Sequence, residues 1–442
     1  MLSVSTATKR AYFSDVSNKQ IRVEFPDLAV QCNNDKIVNE SLSITEAIST
    51  KDSVEFVGCI ASSMEVKLHD VRYNLKGERV EVFITTDETD DIPLFKGIVD
   101  SVVIESDSLV KTITAYDILY TKGETDIAIW YEAVFPTAET KKTIKQIRDS
   151  LFDYIDIDQE ETTLPNDNVL IGKQFEPQSL KCITVLKSIC QINGCCGIIG
   201  RDGVFKYRFL KNELYGTFPS SLTFASSDLY PSSSGSAYSV SFYEKLKYEE
   251  YSVKPTEKVQ IRASEDDGGV IVGTGSNKYI IQSNMFAQGM DETSLTTMAT
   301  NILNKLSSIS FHPFTANNNG APFVEVGDTV RYVISNTRTG TYAVNTFIVL
   351  SRTLSGIQVL KDQYNAVGSE EQSEFITDLQ AQIDTIKMNG GGGGDTYTKE
   401  ETDDLIDEKI SESMLNVVSC AVLPSTRAQG TIYLVQGDLW IG

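Results

Sequence analysis

Apolar positions recur with a period of two through the first part of the chain. In KQIRVEF (19–25), Ile21, Val23 and Phe25 alternate with polar neighbours, and short β-branched runs follow at 53–56, 64–68 and 80–85. The run 93–100 leads into Val102, Val103 and Ile104, and 111–120 (KTITAYDILY) comes next. The spacing of these runs predicts an antiparallel barrel or sandwich.

The period then changes to that of a helix. Over 141–154, Ile144, Ile147, Leu151 and Tyr154 share one face; over 179–190, Leu180, Ile183, Leu186 and Ile189 do the same. The second helix is expected to stop at Asn193 and Gly194, a left-handed cap. Residues 197–207 read as a hairpin turning at Asp202 and Gly203. A serine-rich connection (232–236) precedes further strand-like runs at 239–243, 258–262 and 279–282. Residues 291–306 predict a helix with Leu295, Met298, Ile302 and Leu306 facing inward. Residues 324–332 read as strand, Gly-Asp turn and strand, and runs at 345–352 and 357–360 close the unit.

Beyond Gly368 the pattern narrows to a single seam. Phe375, Leu379, Ile383 and Ile386 lie at steps of four, four and three within 369–387. So narrow a stripe needs partner helices, as in a coiled-coil stem. Gly390 to Gly394 form a flexible joint, and a short helix carries Leu405, Ile406, Ile410 and Met414. The final residues form a small β tip, in which Ile432, Tyr433, Leu434, Trp440 and Ile441 are the candidate docking positions.

Charge and candidate chemistry narrow the function. The 442 residues carry 39 basic and 61 acidic side chains, a net charge of -22, which disfavours stable nucleic-acid binding. Neither a secretory leader nor a membrane span is expected. Of seven cysteines, Cys182, Cys190, Cys195 and Cys196 cluster, but their spacing contains no C-x2-C zinc pair. Buried thiols are the simpler reading. His69 and His312 are the only histidines, and neither adjoins a nucleophile signature. The acidic run 87–91 lacks the glycine and terminal glutamate of a calcium loop, and 268–275 lacks the Lys-Ser/Thr of a phosphate loop. No catalytic residue, metal or cofactor is expected.

Several phrases occur together in a recognisable order. They are AYF (11–13) with IRV (21–23), NESLSITEA (39–47) before EFVGC (55–59), TITAYD (112–117) and WY (130–131). LPND (164–167), the 193–205 hairpin, PFVEVGD (322–328), LSRTLSGIQ (350–358) and YTKEE (397–401) complete the series. Together they resemble the minor structural tail proteins of phages and prophages of Gram-positive hosts, related to the amino-terminal part of tail-associated lysins. The resemblance implies a non-enzymatic homotrimeric hub at the tail tip, synthesised in the bacterial cytoplasm. Such a hub joins a six-fold tube to three-fold tip structures and closes the tube. Its implied partners are the distal tube ring, the tape-measure protein and a spike or receptor-binding protein, with DNA passing through the lumen.

The expected fold is α+β and mainly β. Its expected parts are a barrel hub domain (1–125), an α/β module (126–215), a second β-rich hub domain (216–368), the stem (369–389), a glycine linker (390–395), a short helix (396–418) and the tip (419–442). A receptor-binding fibre and a tail-associated peptidoglycan hydrolase are the alternatives.

Overall fold

The computed structural model describes residues 2–12, 18–49, 58–87, 89–104, 109–210, 238–240, 243–263, 267–336, 341–371, 416–420, 431–435 and 438–441. The chain divides into two units, Met1–Met388 and Asn389–Gly442. The 53–56 run and the stem residues Phe375, Leu379, Ile383 and Ile386 lie outside the described residues.

The first β region contains β1 (Lys19–Phe25), β2 (Val30–Cys32), β3 (Ser43–Ala47), β4 (Ser63–His69), β5 (Arg79–Thr86), β6 (Ile92–Ile104) and β7 (Val110–Tyr116). A short helix, α1 (Thr6–Ala11), precedes it. Period-two alternation decides which side is core. Ile21, Val23 and Phe25 of β1, Met64, Val66 and Leu68 of β4, and Val80, Val82 and Ile84 of β5 are buried together in one cluster. The 111–120 run is only partly strand. Asp117 ends it by accepting the Leu119 N–H at 2.8 Å, which caps α2 (Ile118–Lys122).

The helical module holds α3 (Ala128–Val134), β8 (Lys141–Thr143), α4 (Ile144–Ile155), β9 (Leu170–Gly172), α5 (Cys182–Asn193), β10 (Cys196–Ile199) and β11 (Phe205–Arg208). Thr143 and Gln146 form a reciprocal capping box that starts α4. Gly194, at φ 64°, ends α5 in the expected left-handed cap. Ile144, Ile147 and Leu151 are buried as expected; Tyr154 is 49% exposed, and Phe152 and Ile155 take the inner face instead.

The second β region contains β12 (Tyr238–Val240), β13 (Tyr243–Tyr248), β14 (Lys258–Arg262), β15 (Val270–Gly273), β16 (Lys278–Gln282), α6 (Glu292–Leu306), β17 (Phe314–Asn319), β18 (Thr329–Asn336), β19 (Thr341–Ile348), β20 (Ser351–Ser355) and β21 (Lys361–Ala366). Asp291 caps α6, whose Met298, Ile302 and Leu306 are buried, with Leu295 packed at the margin of the core.

Both β regions contribute to one sheet. Its order is β13-β17-β21-β20-β3-β4-β7-β6-β5-β1-β2, eleven strands with antiparallel pairing throughout. The joint is β3 against β20, where Glu46 faces Arg352 and Ile44 faces Leu354. Among the described residues the sheet is open, ending at β13 and β2, and no barrel closes.

Two expected strands are turns. Residues 324–328 curve ahead of β18, with the Glu325 N–H donating to Asp328 Oδ2 at 2.7 Å. Residues 357–360 link β20 to β21; Gly356 sits at φ 84° and the Ile357 N–H donates to Glu40 Oε2 at 3.1 Å. Ile357 and Leu360 are nonetheless buried, which explains their strand-like apolarity.

The second unit carries β22 (Asn416–Cys420), β23 (Thr431–Val435) and β24 (Asp438–Ile441) in one sheet. β22 runs parallel to β23, and β23 pairs antiparallel with β24.

Candidate functional site

The β3–β20 joint buries four charged side chains. Glu46 lies on β3 with the same inward parity as Ile44, and Arg352 lies on β20 with the parity of Leu354. A charge placed on the apolar side of a strand needs partners to offset its lost hydration. Arg352 Nε and Nη2 grip Asp362 of β21 at 2.7 and 2.9 Å, and Nη1 reaches Glu46 Oε2 at 3.2 Å. Arg201, from the turn between β10 and β11, grips Glu46 from the other side through Nε at 3.2 Å and Nη2 at 2.9 Å.

The guanidinium donors left over go to backbone. Arg201 donates to the carbonyls of Pro322 and of Val324, the latter at 2.7 Å. Arg352 donates to the carbonyls of Val324 and of Ala321, the latter at 2.9 Å. Asp362 also accepts from the Ala321 N–H and the Tyr364 hydroxyl, each at 3.0 Å. Burial pushes the Glu46 carboxyl upward, but Arg201 and Arg352 outweigh it and hold the group below the usual glutamate range. Nearby, Arg208 Nη2 pairs with the buried Glu325 at 3.1 Å.

The network therefore ties three chain segments together: β3 from the first β region, the β10–β11 turn from the helical module, and β20, β21 and 321–325 from the second. NESLSITEA, the 193–205 hairpin, PFVEVGD and LSRTLSGIQ all meet here.

LPND builds a second junction. Arg148 of α4, 2% exposed, donates through Nε and Nη2 to the two oxygens of Asp167, both at 2.9 Å, and to Gln159 at 2.7 Å. Asn166 donates to the Ile192 carbonyl at 2.5 Å and accepts from Asn301 of α6 at 2.9 Å. This loop thereby clamps α4, α5 and α6. At TITAYD, burial drives the Asp117 carboxyl up to about 7, although it accepts the Ser62 N–H at 2.5 Å and the Leu119 N–H.

The residues tested for chemistry have structural surroundings. Cys59, Cys182, Cys190, Cys195 and Cys196 are all buried. Burial raises the Cys182 and Cys196 thiols to about 12. No group of three or more His, Cys, Asp or Glu side chains suited to a metal ion occurs among the described residues. His312 contacts the Tyr251 carbonyl at 2.9 Å and lies against Tyr248 and Phe347; His69 ends β4. In the acidic run, Asp91 pairs with Arg22 at 2.7 Å. Residues 270–273 of the glycine-rich run form β15. An open groove of about 780 Å³ lies beside β13, β17 and the end of β21, lined by Leu246, Tyr248, Tyr251, Phe314 and Asn365 among others.

Of the candidate tip residues, Ile432, Tyr433 and Leu434 lie on β23, and Trp440 and Ile441 on β24. The register sets Ile432 opposite Ile441 and Tyr433 opposite Trp440. Sequence reading did not single out Glu46, Arg201, Arg148, Arg352 or Asp362 as individuals. Their signal was available for the strand residues: Glu46 and Arg352 occupy apolar-parity positions. No helix among the described residues is long and apolar enough to cross a membrane.

No protein-family model and no curated protein matches the sequence. Solved structures similar to the chain include the tail protein from Neisseria meningitidis MC58, at TM-score 0.46 and 11% identity, covering 80% of this chain and 100% of that one. The 43 kDa tail protein of prophage MuSo2 from Shewanella oneidensis matches at 0.47 and 12%, covering 79% and 98%. Prophage tail protein gp18 from Listeria monocytogenes EGD-e matches at 0.44 and 12%, covering 83% and 98%.

Proposed function

We propose that the chain is a structural component of a phage or phage-like tail, a homotrimeric hub at its distal tip. In this reading it adapts a six-fold tube to three-fold tip structures, closes the tube, and anchors a spike or receptor-binding protein. It performs no catalysis. One observation carries the reading: four phrases of the family resemblance, scattered from residue 39 to 358, converge on one buried charge network. That network makes a rigid joint between both β regions and the helical module, which suits a part that transmits force.

The open sheet fits the same role. An edge strand with unpaired backbone groups is normally blunted or covered, and β13 and β2 each have one ladder partner among the described residues. Closure of three copies around an axis gives those edges partners and gives a stem a shared origin. The excess acidic charge suits a lumen through which DNA slides without sticking.

Native mass measurement of the purified full chain tests the assembly, and a cryo-EM map of the particle tests its place. A trimer at the distal end of the tube is the expected result. A monomer at high concentration that degrades cell-wall material overturns the hub in favour of a hydrolase. Glycan binding by an appendage away from the tube axis overturns it in favour of a receptor-binding fibre.

A further inference from the structure

Cys59 and Cys190 are far apart in sequence and touch in space. Their sulfurs lie 3.8 Å apart, across 131 residues of chain. Cys59 follows Gly58 just before β4; Cys190 is in the last turn of α5. The Cys59 N–H donates to the Gly197 carbonyl of β10 at 2.8 Å, which pins the residue to the helical module. Both Gly58 and Cys59 have left-handed backbones, at φ 39° and 54°. Gly197 leaves the space that the Cys59 sulfur fills: a Cβ there would stand 2.7 Å from Cys59 Sγ. The contact thus depends on two glycines: at Gly58, whose backbone is left-handed, a Cβ would stand 2.7 Å from Cys196 Cβ, and at Gly197 it would meet the Cys59 sulfur.

We propose that Cys59 and Cys190 are a latent disulfide pair that staples the first β region to the helical module once the protein meets an oxidising medium. A disulfide needs its sulfurs at about 2.05 Å. The sulfurs must therefore close from 3.8 Å to that bond length. Cys195 is the competing partner, since its thiol also contacts the Cys190 thiol and reaches the Cys190 carbonyl oxygen at 3.7 Å, but a Cys190–Cys195 link would close only a short loop at the end of α5 and join no two regions.

The oxidant is a small-molecule disulfide. One thiolate attacks a sulfur of that disulfide and expels one thiol; the second thiolate attacks the mixed disulfide and expels the other. Two protein thiols and one small disulfide become one protein disulfide and two small thiols, so two electrons pass to the oxidant. Contact with Cys190 and burial keep the Cys59 thiol protonated, so exchange is slow and quickens as pH rises.

The test uses the reduced, full-length protein. It is incubated with oxidised glutathione at pH 8.5, in buffer and in urea near the unfolding midpoint where the core opens. Free thiols are then blocked with N-ethylmaleimide and the protein is digested for mass spectrometry. The expected product is a peptide joining Cys59 to Cys190. It should come with a higher urea midpoint after the urea is removed, reversed by dithiothreitol. Cys59→Ser should abolish both the link and the reversible rise; Cys195→Ser should preserve both. Absence of the link under both conditions overturns the proposal, as does a dominant Cys190–Cys195 link. A link formed without any reversible gain in midpoint overturns the stapling role.

Discussion

Replacing Arg201 by methionine tests the buried joint most directly. Methionine keeps much of the length and apolar stem but none of the donors. The change removes both bonds to Glu46, at 3.2 and 2.9 Å, and the bonds to the Pro322 and Val324 carbonyls. Glu46 is then left buried with one guanidinium contact, from Arg352 at 3.2 Å. Breaking a buried ion pair by deleting one partner costs about 3–5 kcal/mol. The stranded carbonyls add to this, although contributions within one network do not sum. With a urea slope of at least about 3 kcal/mol per molar for a unit of this size, the midpoint should fall by roughly 1 M.

An exposed pair of similar geometry provides the control. Arg79 grips Asp27 through Nε at 3.0 and 2.8 Å, but their side chains are 59% and 39% exposed. Water already solvates both groups, so Arg79→Met should leave the midpoint essentially where it was. In a Glu46→Gln background the cost of Arg201→Met should shrink, because no buried charge is then stranded. Equal midpoints for Arg201→Met and Arg79→Met would refute the claim that burial, rather than pairing geometry, gives the joint its strength.

Arg148→Met should destabilise the helical module by about 3–5 kcal/mol through the stranded Asp167, read as a lower urea midpoint in tryptophan fluorescence, since Trp130 lies in that module. Thr143→Ala should cost about 1 kcal/mol by removing the α4 capping box, with hydrogen exchange rising at the first turn of α4. Asp117 has its folded carboxyl raised to about 7 against an unfolded value of about 4. Between those values the folded state binds a proton that the unfolded state lacks, so its contribution to stability falls as pH rises. Wild type should therefore lose stability relative to Asp117→Asn between pH 5 and 8; a difference independent of pH would contradict this.

Local signals were enough to determine many of the individual elements. Alternation in KQIRVEF specified a half-buried strand, Asp291 and Asn193-Gly194 marked helix ends, and Asp202-Gly203 marked a hairpin turn. Each of these signals acts over a few residues, so each is written where it operates. The same logic misread 324–328. Val324 and Val326 alternate like a strand, but the Val324 N–H closes a turn onto the Ala321 carbonyl, and the Ala321, Pro322 and Val324 carbonyls accept from two arginines. Those arginines arrive from 123 residues before Val324, in the case of Arg201, and from 28 residues after it, in the case of Arg352 on β20. The pairing of β3 with β20 likewise spans 306 residues between Glu46 and Arg352. No local preference encodes a partner at that distance. It is selected because charges on apolar-parity positions can be buried only with partners, and the folded chain alone brings Glu46, Arg352, Arg201 and Asp362 together.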